Sequence, residues 1–238
     1  MSPQGRRDLV LWAAGIALFA VPFGPVMSHY GVLPTQLAIY GGLAALALVI
    51  LRGRIGLLLR SQPDAVHGTT AFRWSWARAW VAALAGGGLL LLPVAWGIAT
   101  EAGLGVRRPG PEILGVLALQ VLVVGLVEEV FFREAALRAL GPNPFAVAAA
   151  SLPCFAAIHW QSGPLAMGIA LSVGMVYLAA RLAGAPVLAL GLVHGLVNVI
   201  SARVLVLPIR DPQAYILWLM PASAVLALFI LWLGRDRP

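Results

Sequence analysis

The stretch V-E-E-V-F-F-R-E-A-A-L-R, Val127 to Arg138, closes a long apolar run and sets two adjacent carboxylates, Glu128 and Glu129, inside sequence that reads as a membrane-spanning helix. An ionisable group at that depth is costly, so it persists where it is paired, lines a wet cavity or does chemistry. Glu129 and Arg133 stand four apart, hence on one helix face, and can neutralise each other. Glu128 points roughly 100° away from that pair and has no obvious local partner. One carboxylate reads as structural, the other as available.

Composition places the whole chain in the same class. Of its 238 residues 61% are hydrophobic and 11% charged, with a mean hydropathy of +0.93, whereas soluble domains average about 25% charged residues. The chain is therefore a polytopic membrane protein. All sixteen basic residues are arginine, and the net charge is +7. They are scattered over the connections rather than gathered in a basic domain, which fits topology and anionic headgroups and excludes nucleic acid as a partner. The single cysteine, Cys154, rules out an internal disulfide and reads as a buried inert thiol.

Hydropathy and punctuation predict an all-α bundle of about eight transmembrane helices, forming one integral-membrane domain over 1–238. The spans are expected at 9–28 (an uncleaved first span bent by Pro22 and Pro25), 32–51, 79–100, 112–140, 145–160, 164–182, 186–206 and 213–233. Gly141-Pro142-Asn143-Pro144 stops the fourth. The connection 52–78 mixes arginines with leucines and tryptophans, which suits a segment lying in the headgroup plane or a charged loop fixing topology. With the N-terminus inside, twelve arginines fall on inner segments and four on outer ones, so both termini are expected to be cytoplasmic.

Three further polar residues lie within spans. His159 stands in F-A-A-I-H with Phe155 one turn earlier, and His194 and Asn198 share a face in H-G-L-V-N. A lone histidine in a membrane helix is most often a satisfied helix–helix hydrogen bond. Depth argues for more here. At about 1.5 Å per residue, Glu128, His159, His194 and Asn198 all fall within one layer about 10 Å thick, although their helices run in alternating directions. Independent structural bonds have no reason to coincide so. A carboxylate withdrawn from water is suited to act as a general base, a histidine beside it can share a water, and a second histidine with an asparagine amide can donate to a tetrahedral oxyanion. No serine or cysteine accompanies the set at motif spacing, which disfavours an acyl-enzyme. Gly191 and Gly195 flank His194 in a G-x-x-x-G that permits close approach of a neighbouring helix or of substrate backbone.

E-E-V-F-F-R at 128–133, F-A-A-I-H at 155–159 and H-G-L-V-N at 194–198 resemble, in order, the motifs EExxxR, FxxxH and HxxxN of the CPBP family, which includes CAAX prenyl proteases of the Rce1 type and many bacterial homologues. The resemblance covers about 112–206, the expected protease core, and implies an eight-span glutamic-type intramembrane endopeptidase of a bacterial inner membrane. By position it implies Glu128 as the base that activates water, assisted by His159, with His194 and Asn198 stabilising the oxyanion. Glu129 and Arg133 would brace the site and Phe155 would pack against it. The implied partners are the bilayer and a membrane-associated peptide or protein substrate, myxosortase-like removal of C-terminal anchors being one candidate. No cofactor is implied. Many members have Gly after the motif arginine, where this chain has Glu134. Two rivals stay open: zinc held by His159, His194 and Glu128, and a binding or immunity protein that keeps the polar pocket without chemistry. A transporter ranks last, because no inverted repeat is visible.

Overall fold

A computed structural model describes residues 3–20, 23–54, 56, 84, 105–106, 110–111, 113–141, 143–201, 205–206 and 212–233. The expected third span, 79–100, and nearly all of the connection 52–78 therefore lie outside the described residues. Within them the chain is an all-α membrane bundle. Its helices are α1 (Pro3–Ala20), α2 (Phe23–Tyr30), α3 (Val32–Ile50), α4 (Ile113–Leu140), α5 (Pro144–Ala157), α6 (Pro164–Leu182), α7 (Val187–Val199) and α8 (Pro212–Leu233). Among the described residues four stretches are long and apolar enough to cross a membrane, namely Leu33–Ile50, α4, α6 and Gln213–Leu233. Helices α5 and α7 are apolar but shorter.

The two short helices correct the expected boundaries. The span expected at 145–160 is Pro144–Ala157, followed by a one-turn 3-10 helix at Trp160–Ser162. The span expected at 186–206 is helical only to Val199, with π winding at 200–201. Beyond it Leu205–Val206 (β2) pairs antiparallel with Gly105–Val106 (β1). Leu-Val suits a strand. This small ladder ties the connection before α4 to the one after α7, on a single side of the bundle. The expected first span corresponds to α1 and α2, with residues 21–22 outside the described residues.

Helix α4 runs unbroken for 28 residues, but Leu119–Gly125 and Val130–Ala135 are wound as π-helix on either side of Leu126–Glu129. Such windings carry a backbone cost, leave carbonyls poorly aligned for the helix's own amides, and gather at functional sites. Two carbonyls of the second π stretch are taken up from outside: Trp12 Nε1 of α1 donates to Phe131 O at 3.3 Å, and Ser151 Oγ of α5 donates to Phe132 O. The winding is thus held by its neighbours. Gly141, with φ 86°, ends the helix in a conformation that disfavours any side chain. Asn143 then caps α5, its Oδ1 accepting from Phe145 N at 3.0 Å and Ala146 N at 3.3 Å, with Pro144 in the first turn.

Two apolar clusters form around this helix. One joins α1, α3, α4 and α5 through residues such as Trp12, Leu43, Phe131 and Phe155. The other joins α6, α7 and α8 through Tyr177, Leu190, Val193 and Leu219. The helices that carry the three motifs meet where these clusters adjoin.

Candidate active site

Close approach of α4 to α7 makes the site possible. A Cβ on Gly125 would lie 2.5 Å from Gly191 O and from Gly195 N, and one on Gly191 would lie 2.6 Å from Leu126 Cα. Three glycines thus let two backbones touch, with His194 carried on the contact face between Gly191 and Gly195. The G-x-x-x-G is accounted for by helix packing.

The paired carboxylates receive that histidine. His194 Nδ1 lies 2.9 Å from Glu129 Oε1, and its Nε2 lies 3.6 Å from Glu128 Oε2. Glu129 Oε2 is 3.2 Å from Arg133 Nε, the expected pair one turn along the helix. Arg133 also lies over the Phe155 ring, 4.7 Å from guanidinium carbon to ring centroid. Glu128, Glu129, Arg133 and His194 are all buried, none exposing more than 5% of its surface. An ionised carboxylate only accepts, so with Glu129 charged against Arg133 His194 Nδ1 carries a proton, and Nε2 faces Glu128.

Glu128 has a partner that spacing alone did not reveal. Tyr40 of α3 donates its phenolic hydroxyl to Glu128 Oε1 at 2.7 Å. The other oxygen, Oε2, has no hydrogen-bond partner among the described residues. Tyr177 was missed as well: its ring tilts against His194 at 5.5 Å, and its buried hydroxyl has no hydrogen-bond partner among the described residues. No motif marks either tyrosine.

His159 follows the end of α5, half-buried, with Nδ1 2.9 Å from Phe155 O. A carbonyl accepts only, so this nitrogen carries the proton and Nε2 keeps a lone pair. Phe155 meets both imidazoles edge-on, at 5.2 Å from His159 and 6.0 Å from His194. Phe155 thus contacts both imidazoles. Of the two histidines it is His194 that stands beside the carboxylates, whereas His159 reaches the cluster through Phe155. Asn198 is half-buried one turn beyond His194, and its carbonyl accepts from Ser201 Oγ at 3.4 Å. Among the described residues no three His, Cys, Asp or Glu side chains are grouped to hold a metal ion, and the set of His159, His194 and Glu128 does not form such a group.

Glu134, which stands where many members of the resembled family have Gly, is buried and faces away from this cluster. Arg181 of α6 donates to its Oε2 from Nε at 3.0 Å and from the guanidinium terminus, while Arg181 Nη1 donates to Ala185 O at 2.9 Å. Arg138 Nε lies 3.9 Å from the other oxygen. A second ionic cluster thus pins the end of α4 to the end of α6.

Comparison with known proteins places this arrangement. Residues 110–200 match the family model for the Type II CAAX prenyl endopeptidase Rce1-like proteins, a span that contains all three motifs. No curated protein matches the chain, nor does any solved structure. The matched span carries Glu128, Glu129, Arg133, Phe155, His159, His194 and Asn198, and over residues 110–200 this integral membrane protein is similar to the Rce1-like endopeptidases.

Proposed function

We propose that the chain is an intramembrane endopeptidase that hydrolyses a peptide bond of a membrane-associated peptide or protein by a glutamate-activated water. The observation that carries the reading is the division of labour between two neighbouring carboxylates. Glu129 has His194 Nδ1 at 2.9 Å and the Arg133 guanidinium at 3.2 Å, whereas Glu128 is held at Oε1 by the Tyr40 hydroxyl and its Oε2 faces His194 Nε2 across 3.6 Å. In this reading Glu128 takes a proton from water and the resulting hydroxide adds to the scissile carbonyl carbon. The carbon–nitrogen bond then breaks, and the proton passes to the leaving amine. His159, with a lone pair on Nε2, shares the water and relays that proton. His194, through Nε2–H, and the Asn198 amide donate to the oxyanion. Arg133, Glu129 and Phe155 hold the imidazoles in place.

No metal-ion step is derived, because the described ligand types do not gather as a zinc shell would require. An apolar cleft of about 490 Å³ between α4 and α7, lined by residues such as Leu117, Val121, Leu192 and Leu196, suits an apolar substrate segment arriving from the bilayer. The arginine bias supports cytoplasmic termini, and in this reading the chain is one domain over 1–238, with its core at 112–206, in a bacterial inner membrane. Precursor peptides and C-terminal membrane anchors, the myxosortase-like case, are the substrates to try first.

The test is cleavage of membrane-anchored and prenylated peptides by protein in liposomes. Glu128→Ala is expected to reduce cleavage by a factor of at least about 100. Undiminished cleavage by that variant overturns the mechanism. Recovery of a bound peptide with Glu128→Gln but no cleavage by the unmutated chain identifies a binding protein instead.

A further inference from the structure

We propose that Tyr40 is a positioning residue for Glu128, holding one carboxylate oxygen so that the other is presented to water. The inference rests on Glu128 being the base and adds a residue from outside the span that matches the family. Tyr40 lies on α3, 88 positions before Glu128 and well before residue 110. Its hydroxyl reaches Oε1 at 2.7 Å, the length of a hydrogen bond to a charged acceptor.

The geometry makes the two oxygens unequal. A glutamate's terminal torsion is broad and roughly two-fold, so an unrestrained carboxylate exchanges its oxygens freely. With Oε1 held by the phenol, Oε2 is the oxygen that faces His194 Nε2 at 3.6 Å. That separation is too long for a direct hydrogen bond. The remaining charged groups around Glu128 are already committed to one another: Glu129 to Arg133 on the same helix and to His194 on α7. His159, just past the end of α5, meets the Phe155 ring at 5.2 Å. Tyr40 is therefore the described donor that orients this carboxylate, and α3 becomes part of the working site rather than a scaffold beside it.

The experiment compares the unmutated chain with Tyr40→Phe and Glu128→Gln in liposomes, using two readouts. In the first, an internally quenched farnesylated CAAX peptide is the substrate probe. Tyr40→Phe is expected to lower kcat about ten- to a hundredfold, the value of a hydrogen bond to a charged group, with KM unchanged and the acidic limb of the pH–kcat profile moved to higher pH. In the second, dicyclohexylcarbodiimide labels protonated carboxyls in the membrane, and Glu128 modification is followed by peptide mass spectrometry across pH. Labelling of Glu128 is expected to extend to higher pH in Tyr40→Phe, with the melting temperature held. Unchanged labelling and unchanged kcat overturn the proposal. If Glu128→Gln cleaves as well as the unmutated chain, the base assignment fails instead. If the unmutated chain leaves the probe intact, labelling alone decides whether Tyr40 governs Glu128.

Discussion

His194 and Glu129, 65 positions apart, meet across two helices with Nδ1 2.9 Å from Oε1. Behind them Arg133 closes the chain of contacts, so the imidazole, the carboxylate and the guanidinium form one buried row. The order of that row has a thermodynamic consequence. Each member neutralises or orients the next, and removing an end leaves a charge stranded in a low-dielectric interior.

Arg133→Met is expected to destabilise the protein by about 3–5 kcal/mol, because Glu129 would remain buried without its cation. Arg133→Lys should recover part of this loss, since an ammonium restores the charge but not the guanidinium's planar donor set or its fit over Phe155. Thermal unfolding in detergent ranks the three proteins. Equal melting temperatures for Arg133→Met and the unmutated chain would show that the row contributes nothing to stability.

The second ionic cluster makes a different prediction. Glu134→Gly installs the residue common in the resembled family, yet it removes the buried carboxylate to which the Arg181 guanidinium donates. A loss of about 3–5 kcal/mol is expected from breaking a buried pair. Replacing both partners with apolar residues, Glu134→Leu with Arg181→Met, should restore most of it, as buried pairs and well-packed apolar isosteres are often of similar stability. Unfolding midpoints of the two singles and the double form the cycle that measures this coupling. Additive losses would mean that the two side chains do not interact.

What could be foreseen from the chain divides by the range of the interaction. Spacing of four predicts neighbours on one helix, so the Glu129–Arg133 pair was legible, as was the Phe155–His159 proximity. The stop at Gly141 was legible from residue type. Depth arithmetic places four polar residues in one layer but says nothing of direction around each helix. It could not distinguish His194 from His159 as the neighbour of Glu128. Tyr40 and Arg181 were invisible for the same reason, their partners lying 88 and 47 positions away. The π winding at Val130–Ala135 escaped because it answers to Trp12 and Ser151 on other helices. The short reach of α7 escaped because Leu205–Val206 is as apolar as the helix it follows.

The glycine contact between α4 and α7 supplies the last prediction, one that bears on catalysis through geometry alone. A Cβ at position 195 would lie 2.3 Å from Gln120 O and 2.4 Å from Val121 Cα, both backbone atoms that cannot swing aside. Gly195→Ala must therefore separate the helices locally, and His194 is the next residue along. Overpacking of this kind costs about 1–3 kcal/mol, and a displacement of about 1 Å at a reacting group can cost a hundredfold in rate. The expected result is a modest fall in melting temperature with a disproportionate loss of probe-peptide cleavage. Gly115→Ala on α4 is the matched control, because nothing lies within 4 Å of its Cβ position. It should leave cleavage unchanged and, as a glycine-to-alanine change within a helix, hold or raise stability. Full activity in Gly195→Ala would mean that the two backbones do not meet at this glycine, and that the placement of His194 beside the carboxylates depends on something else.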